Sequence, residues 1–193
     1  MHNLSDIDLI ALGRVPRDRA EELRELAADV VQASYLKGDF LLTAGNRSSY
    51  YFDKYLFETK PAILRRLGRF LADLVPADTD RVAAPELGAV LLGGAVCMEL
   101  GLPLVIVKKE AQQYGAGRPI EGELHPGERV CLIDDVVTTG TQVVRAARKI
   151  SELGAVVGDV VVALDREEGG EDRIAEAGIR YRPLFRKRDL NLG

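Results

Sequence analysis

The sequence predicts an α/β fold in which a parallel β-sheet forms the core, helices flank the sheet, and a small N-terminal hood covers one end. From residue 61 onward, short apolar runs alternate with stretches of helical periodicity, as units of strand, helix and strand require. The apolar runs are continuous and rich in β-branched residues, as expected of strands buried on both faces of a sheet. A chain of 193 residues is long enough for one such core and an appendage.

Residues 1–60 are predicted to form an N-terminal helix and the hood. Apolar residues recur at helical spacing between Pro16 and Leu36, and Lys37-Gly38 is expected to end that helix. The segment Asp39–Asp53 carries aromatic and aliphatic runs on both sides of a Gly-Asn turn signal, which predicts a hairpin.

Residues 61–193 are predicted to form the core as a single compact unit. A helix over Lys60–Leu74 is favoured by Pro61 in its first turn. The later elements are predicted in this order: strand Arg81–Ala84, helix Leu87–Leu100, strands Leu104–Val107 and Arg129–Ile133, helix Gln142–Leu153, strand Val156–Leu164, helix Arg173–Ala177 and strand Tyr181–Phe185. The segment Ala111–His125 is rich in Gly, Gln and charge, and it is predicted to be a mobile loop.

Composition argues against several functional classes. The formal net charge of −4 argues against a nucleic-acid partner, and the longest apolar stretch is too short and too rich in glycine to cross a membrane. Both cysteines lie in apolar runs and are expected to be buried, inert thiols, and two histidines are too few for a Cys/His metal site. The N-terminus lacks the features of a signal peptide, so a cytoplasmic protein is expected.

The strongest functional signal is the segment Val130–Thr141. A predicted apolar strand ends at the adjacent acids Asp134 and Asp135, and a Thr/Gly loop then opens a helix. The first N–H groups of a helix bind anions, and Gly140 lets the backbone approach a phosphate. The two carboxylates would repel a phosphate but can accept hydrogen bonds from vicinal sugar hydroxyls. The alternative is a solvated strand end followed by an ordinary helix cap at Thr138; the whole string favours a ribose 5-phosphate site.

The segment Ile133–Thr141 resembles the 5-phosphoribosyl-1-pyrophosphate (PRPP) motif of the type I phosphoribosyltransferases. Four further segments resemble parts of the orotate phosphoribosyltransferases within that family, in the right order. These are the hood segment Gly38–Tyr51, the first substrate loop Glu86–Val90, the catalytic loop Val107–Ala111 with Tyr114-Gly115 and Ile120–Gly122, and the orotate-binding strand end Leu164–Gly169. The resemblance covers residues of about 38–170, most of the chain, and it is specific because five separated motifs occur in the right order.

The resemblance implies a type I phosphoribosyltransferase fold and a known reaction. In that family, PRPP and orotate give orotidine 5′-monophosphate and pyrophosphate in pyrimidine biosynthesis, and Mg²⁺ is held mainly by PRPP rather than by side chains. The resemblance also implies a homodimer with shared active sites, in which the mobile loop reaches into the neighbouring site.

The resemblance assigns roles to residues of the PRPP site. Asp134 and Asp135 hold the ribose hydroxyls, residues 138–142 bind the 5-phosphate, and Lys108 and Lys109 neutralise pyrophosphate; these two acids and two lysines are the implied catalytic residues. The implied PRPP-binding set is Lys108, Lys109, Gln112, Tyr114, Asp134, Asp135, Val136, Val137, Thr138, Thr139, Gly140, Thr141 and Gln142. The alternative for the two lysines is a solvated strand end.

The implied orotate site contains Arg166, Thr138, Tyr51 and Phe52. Arg166 would form a bidentate pair with the orotate carboxylate. Its alternative is a surface salt bridge with an adjacent glutamate, and the alternative for the aromatic residues is the core of the hood.

Gln112 departs from the family, which usually carries a lysine at that position. Two other functions stay open: a phosphoribosyltransferase for another base, or a regulatory protein that senses PRPP or a nucleotide on the same fold. Arg166 favours a base that carries a carboxylate, whereas the uncharged Gln112 favours a regulatory role.

Overall fold

The computed structural model describes residues 18–41, 47–109 and 118–190. Four elements form the N-terminal part: helix α1 (Arg19–Ser34), strands β1 (Tyr35–Leu41) and β2 (Arg47–Phe52), and the short helix α2 (Lys54–Glu58). The two strands pair antiparallel, which confirms the predicted hairpin. Its predicted Gly-Asn turn lies outside the described residues.

The first helix is shorter than predicted. Its N-terminus is capped by Asp18, whose carboxylate accepts a hydrogen bond from the Ala20 N–H at 3.2 Å. It ends at Ser34, because Tyr35 takes an extended backbone and enters β1. The expectation that Lys37-Gly38 ends the helix was therefore wrong, since both residues lie within β1.

Helix α2 was not predicted. It begins after Asp53, whose carboxylate accepts a hydrogen bond from the Tyr55 N–H at 3.1 Å. Five residues are too few to give a periodic apolar signal. The helix matters because Lys54 and Glu58 are four residues apart and so project from the same face.

The core contains the remaining elements. These are α3 (Pro61–Ala72), β3 (Arg81–Pro85), α4 (Ala89–Leu100), β4 (Leu104–Val107), β5 (Ile120–Glu121), β6 (Arg129–Val137), α5 (Thr141–Glu152), β7 (Val156–Asp165), α6 (Gly170–Glu176), β8 (Arg180–Arg186) and a 3₁₀ turn (Lys187–Leu190). The sheet order is β5-β4-β3-β6-β7-β8. Every neighbouring pair is parallel except β4 and β5. The predicted α/β class is confirmed.

Two predictions about the core were wrong in detail. Part of the segment expected to be a mobile loop forms β5, in which Ile120 pairs with Val107 at the sheet edge. Strand β6 does not end at Ile133 but continues to Val137, because it stays paired with β7 along this length. Asp134 and Asp135 therefore lie within the strand rather than after it.

Each face of the sheet buries an apolar cluster. On one face, Cys131 and Ile133 pack in a cluster with residues of α1, α3 and α4; on the other, Leu132 packs with residues of α5 and α6. Both cysteines are free, and burial raises the pKa of the Cys97 thiol to about 11 and of the Cys131 thiol to about 12. No helix in the described ranges has the length and apolar character needed to span a membrane.

Leu67→Ala tests the packing of the first cluster. Leu67 is fully buried on α3, so the substitution should lower the free energy of unfolding by about 2–5 kcal/mol through lost burial and a residual cavity. Urea denaturation measures the loss. Leu153→Ala at a partly exposed position is the control and should change stability by less than about 0.5 kcal/mol. Equal losses in the two variants would contradict this packing.

Candidate active site

A cleft of about 330 Å³ lies where β3, β4 and β6 reach their carboxyl ends. Ligands of open α/β sheets bind at this edge. Five segments line the cleft: α2, the loop between β3 and α4, the end of β4, the end of β6, and α5. Their lining residues are Lys54, Tyr55, Pro85, Glu86, Leu87, Gly88, Ala89, Val107, Lys108, Lys109, Asp134, Asp135, Val136, Gln142, Arg145, Ala146 and Lys149.

The cleft has an excess of positive charge. Five basic side chains line it, against three acidic ones, so its field favours a polyanion. Three of the five were missed from the sequence: Lys54, Arg145 and Lys149. Arg145 and Lys149 are one helical turn apart on α5, but this spacing alone does not say which way their face points. The Lys149 ammonium donates to the carbonyl oxygens of Lys108 at 2.5 Å and Lys109 at 3.0 Å.

Asp135 is 1% exposed and is held by two donors. Its Oδ2 lies 2.6 Å from Nζ of Lys54, and its Oδ1 accepts the Val136 N–H at 2.5 Å. Burial lowers the pKa of Lys54, but the charge of Asp135 and the hydrogen bond to it more than offset this, so the pKa is raised. The ion pair joins helix α2 of the predicted hood to the central strand of the core.

Gly88 makes room for this ion pair. A Cβ built on Gly88 would lie 1.8 Å from Oδ2 of Asp135 and 2.6 Å from Nζ of Lys54. The backbone of Gly88 has ordinary right-handed helical angles, so the glycine is needed for space and not for its conformational freedom.

Asp134 differs from its neighbour, although the sequence predicts equal roles for the two acids. Its Oδ1 accepts the Asp135 N–H at 2.9 Å, and its side chain borders the cleft. Burial and then the charge of Asp135 raise the pKa of Asp134. The pair therefore consists of one carboxylate fixed by a lysine and one whose ionised form is disfavoured.

The Thr/Gly loop lies between β6 and α5 and borders the cleft, since Val136 and Gln142 on either side of it both line the cleft. Gly140 has a positive φ of 72°, and a Cβ there would lie 2.9 Å from the carbonyl oxygen of Gly170. Helix α5 begins at Thr141, one residue earlier than predicted, and presents its first N–H groups at this loop. Arg173 of α6 donates to the Thr141 hydroxyl, which places an unpredicted cation beside the loop.

The two predicted lysines have different surroundings. Lys108 is nearly buried and paired with Glu121 of β5, and this pairing lowers the pKa of the Glu121 carboxyl. Lys109 is exposed, and its N–H donates to the Glu86 carboxylate at 2.6 Å. Both line the cleft, although Lys109 also has the exposure expected of a solvated strand end.

Arg166 follows β7 at the same edge of the sheet, although it does not line the cleft. Its N–H donates to the Val137 carbonyl at 2.9 Å, which ties it to the strand that carries the two acids. Its Nε lies 3.1 Å from a carboxylate oxygen of Glu168, so the salt bridge considered as an alternative is present.

The predicted aromatic residues lie on the hairpin. Phe52 packs against Phe57, with ring centroids 6.1 Å apart, and contacts the core. Tyr51 is exposed and packs against Phe40 at 5.6 Å. Phe52 thus has the packing role considered as its alternative, and contact of either ring with a base stays a prediction. Gln112 and Tyr114 lie outside the described residues.

Comparison with known proteins identifies the family. The phosphoribosyl transferase domain matches residues 57–179. An orotate phosphoribosyltransferase of Methanocella arvoryzae is 38% identical over 167 residues, which cover 86% of this chain and 95% of that protein. The orotate phosphoribosyltransferase of Pyrococcus furiosus is 40% identical over 170 residues, covering 86% and 93%. This chain belongs to the orotate phosphoribosyltransferase family.

Solved structures of the family have the same fold. Orotate phosphoribosyltransferase of Mycobacterium tuberculosis, in complex with Fe(III) dicitrate, superimposes with a TM-score of 0.81 at 29% identity, covering 89% of this chain and 99% of that one. The same protein in complex with PRPP gives a TM-score of 0.77 at 28% identity and the same coverage. The domain match includes both acids, the Thr/Gly loop and Arg166, whereas α1 and the hairpin precede it.

Gly88→Ala tests the close approach of α2 and β6. The new methyl group would overlap Asp135 and Lys54, so the free energy of unfolding should fall by about 1–3 kcal/mol. Gly94→Ala is the matched control, since a Cβ at Gly94 meets nothing within 4 Å and an alanine within α4 should add up to about 1 kcal/mol. Denaturant titration of the two variants measures both effects, and a stabilised Gly88→Ala protein would contradict the packing.

Proposed function

We propose that this protein transfers the 5-phosphoribosyl group from PRPP to orotate, giving orotidine 5′-monophosphate and pyrophosphate in pyrimidine biosynthesis. The bond between the anomeric carbon and pyrophosphate breaks, and a bond to a ring nitrogen of orotate forms. The observation that carries the proposal is the convergence of an acidic pair, a phosphate-binding loop, a basic cleft and Arg166 at one sheet edge. The curated relatives with about 40% identity, named orotate phosphoribosyltransferases, support the choice of base.

The 5-phosphate is assigned to residues 138–142. The first N–H groups of α5 and the dipole of this twelve-residue helix favour an anion there. Arg173 adds a positive charge beside Thr141. The close contact of Gly140 with Gly170 braces the loop against the turn after β7, so its amides are positioned before the phosphate arrives.

The ribose hydroxyls are assigned to Asp134 and Asp135. Carboxylate oxygens accept hydrogen bonds from vicinal hydroxyls. The two acids lie near the end of β6, just before the loop to which we assign the 5-phosphate, so sugar and phosphate would bind side by side at one edge of the sheet. Asp135 is held in place by Lys54, which fixes one acceptor before the sugar binds. Holding the sugar in this way reduces the entropy that must be lost on reaching the transition state.

The pyrophosphate is assigned to the basic side of the cleft. Negative charge develops on it as its bond to the sugar breaks, and cations fixed in advance stabilise that charge. Lys108 and Lys109 serve this role, with the predicted partners Gln112 and Tyr114. Gln112 is uncharged, whereas a lysine at that position would bring a positive charge to the pyrophosphate. We assign that charge to Arg145 and Lys149, both of which line the cleft.

We propose that Mg²⁺ binds together with the pyrophosphate group of PRPP. Mg²⁺ keeps several waters and is commonly bound through substrate phosphates. The donors lining the cleft fit this arrangement, because basic groups outnumber acidic ones and the Asp135 carboxylate is already paired with Lys54. When bound, the ion supplies positive charge that offsets the charge of the pyrophosphate.

The orotate carboxylate is assigned to Arg166, with Thr138, Tyr51 and Phe52 near the ring. The ion pair with Glu168 engages Nε of Arg166, so a second carboxylate would meet the guanidinium at its Nη1/Nη2 edge. A base without a carboxylate cannot form this bidentate pair, so Arg166 would favour orotate over uracil and the purines.

We also propose a homodimer with shared active sites. Leu91 and Met98 are seven residues apart on α4 and so share one face of that helix, with 43% and 81% of their surface exposed. Leu87, in the loop just before the helix, is 71% exposed. Large exposed apolar side chains that lie close together mark an interaction surface. Since Leu87 also lines the cleft, a second copy on this surface would lie beside the active site.

We propose that the protein is located in the cytoplasm. Thiols remain reduced there, and Cys97 and Cys131 are unpaired in the structure.

Arg166→Ala should lower kcat/KM for orotate by about 100-fold or more, because a charged, bidentate contact is lost. PRPP binding should persist, since the phosphate loop is unchanged. Turnover of PRPP and Mg²⁺ with orotate, uracil, hypoxanthine or xanthine measures both rate and choice of base. Arg188→Ala, at a neighbouring arginine paired with Glu167, is the control and should remain active. If the wild type prefers another base, the proposed function is wrong. If Arg166→Ala turns over orotate at the full rate, the assignment of the orotate carboxylate to Arg166 is wrong.

Met98→Glu should convert the dimer to a monomer, because each copy would bring a carboxylate into the apolar contact. Turnover should fall with it if the sites are shared. Light scattering coupled to size exclusion measures the mass, and Met98→Leu, which keeps the apolar surface, should stay dimeric. A dimeric Met98→Glu protein would place the interface elsewhere.

A further inference from the structure

Glu58 is a buried acid to which the proposed reaction assigns no role. It is the last residue of α2, and none of its surface is exposed. Within the described residues, neither of its carboxyl oxygens accepts a hydrogen bond. An ionised carboxylate in such a place would be strongly destabilising, because burial removes its water and no donor replaces that water. A neutral carboxyl group fits these surroundings, since it carries a proton of its own to donate.

The acceptor for that proton is Asp135. Lys54 and Glu58 project from the same face of α2, and Nζ of Lys54 lies 2.6 Å from Oδ2 of Asp135. Burial and then the negative charge of Asp135 raise the pKa of Glu58 to about 9. At neutral pH Glu58 is therefore a donor facing a carboxylate.

A proton on Glu58 reduces the excess of negative charge in this cluster. The charged groups acting on Glu58 are Asp135 and Asp134 of β6 and Lys54 of its own helix. With all three carboxyl groups ionised, a single ammonium would face three negative charges beneath the cleft that receives the polyanionic PRPP. A proton on Glu58 removes one of those charges and turns repulsion of Asp135 into a hydrogen bond.

We propose that Glu58 is a positioning residue: a neutral carboxylic acid that donates to Asp135 and, together with Lys54, holds the acid pair in place for the ribose hydroxyls. The ribose part of this inference rests on the proposed function. The proton on Glu58 and its hydrogen bond to Asp135 do not depend on which base is used.

Two variants separate the proton from the hydrogen bond. In Glu58→Gln an amide still donates to Asp135 but cannot ionise, whereas Glu58→Leu has no donor. We expect Glu58→Gln to bind PRPP like the wild type at neutral pH and Glu58→Leu to bind it about tenfold more weakly, with kcat less affected. Above about pH 9 the wild type should lose affinity for PRPP as Glu58 ionises, and the loss should be smaller in Glu58→Gln, which keeps only the titration of the other groups. Glu176→Gln at an exposed site of α6 is the control and should follow the wild type.

Thermal melting gives a readout that needs no substrate. Because the folded protein keeps a proton that the unfolded chain releases, stability falls as pH rises from the ordinary glutamate value of 4.5 to about 9. Glu58→Gln removes this dependence, so its Tm should exceed that of the wild type at pH 8 by more than at pH 5. Glu176→Gln should show no such gain.

The two measurements distinguish the inference from the function. Calorimetric titration with PRPP alone, without a base, measures the affinities. If Glu58→Gln gains no stability at pH 8, or binds PRPP as weakly as Glu58→Leu, the role of Glu58 is overturned. If both expectations hold while orotate is not a substrate, the proposed function fails and the role of Glu58 stands.

Discussion

Asp135 is a buried carboxylate near the carboxyl end of a central strand, and the arrangement of the cleft depends on how its charge is compensated. A buried charge is tolerated when a partner of opposite charge and further hydrogen bonds replace its water. Lys54 supplies the partner, the Val136 N–H supplies a hydrogen bond, and Gly88 leaves the space for both side chains. Because Lys54 comes from α2, this contact also ties that helix to a central strand of the core, in addition to the apolar packing of α1 and α2.

The course of β6 explains why the acids need such compensation. Its pairing with β7 continues to Val137, so the ladder carries Asp134 and Asp135 into the sheet before the Thr/Gly loop begins. A strand that ended at Ile133 would have left both carboxylates in water. Their burial raises the pKa of Asp134 and makes the acid pair sensitive to neighbouring charges. The proposed ribose site gains rigid acceptors from this arrangement, since each acid is already held by protein groups.

The basic groups on the opposite side of the cleft are organised in a different way. Lys149 of α5 donates to the carbonyl oxygens at the end of β4, and Lys108 is tied to Glu121 of β5. Helix α5 therefore links the Thr/Gly loop at its N-terminus to the lysines that follow β4. The cleft combines a fixed acidic side with a fixed basic side, as a reaction that separates a sugar cation from a polyanion requires.

The sequence by itself determined the α/β class, most of the strands and helices, the Thr/Gly loop and the acidic pair, because these depend on local periodicity and on one contiguous motif. The tertiary structure decided the rest. Lys54 and Arg173 are far from Asp135 and Thr141 in sequence, and only folding brings them into contact. The length of β6 was decided by pairing with β7, and β5 by pairing with β4. The physical reason is that charge compensation and strand pairing act between distant segments, which no local pattern records.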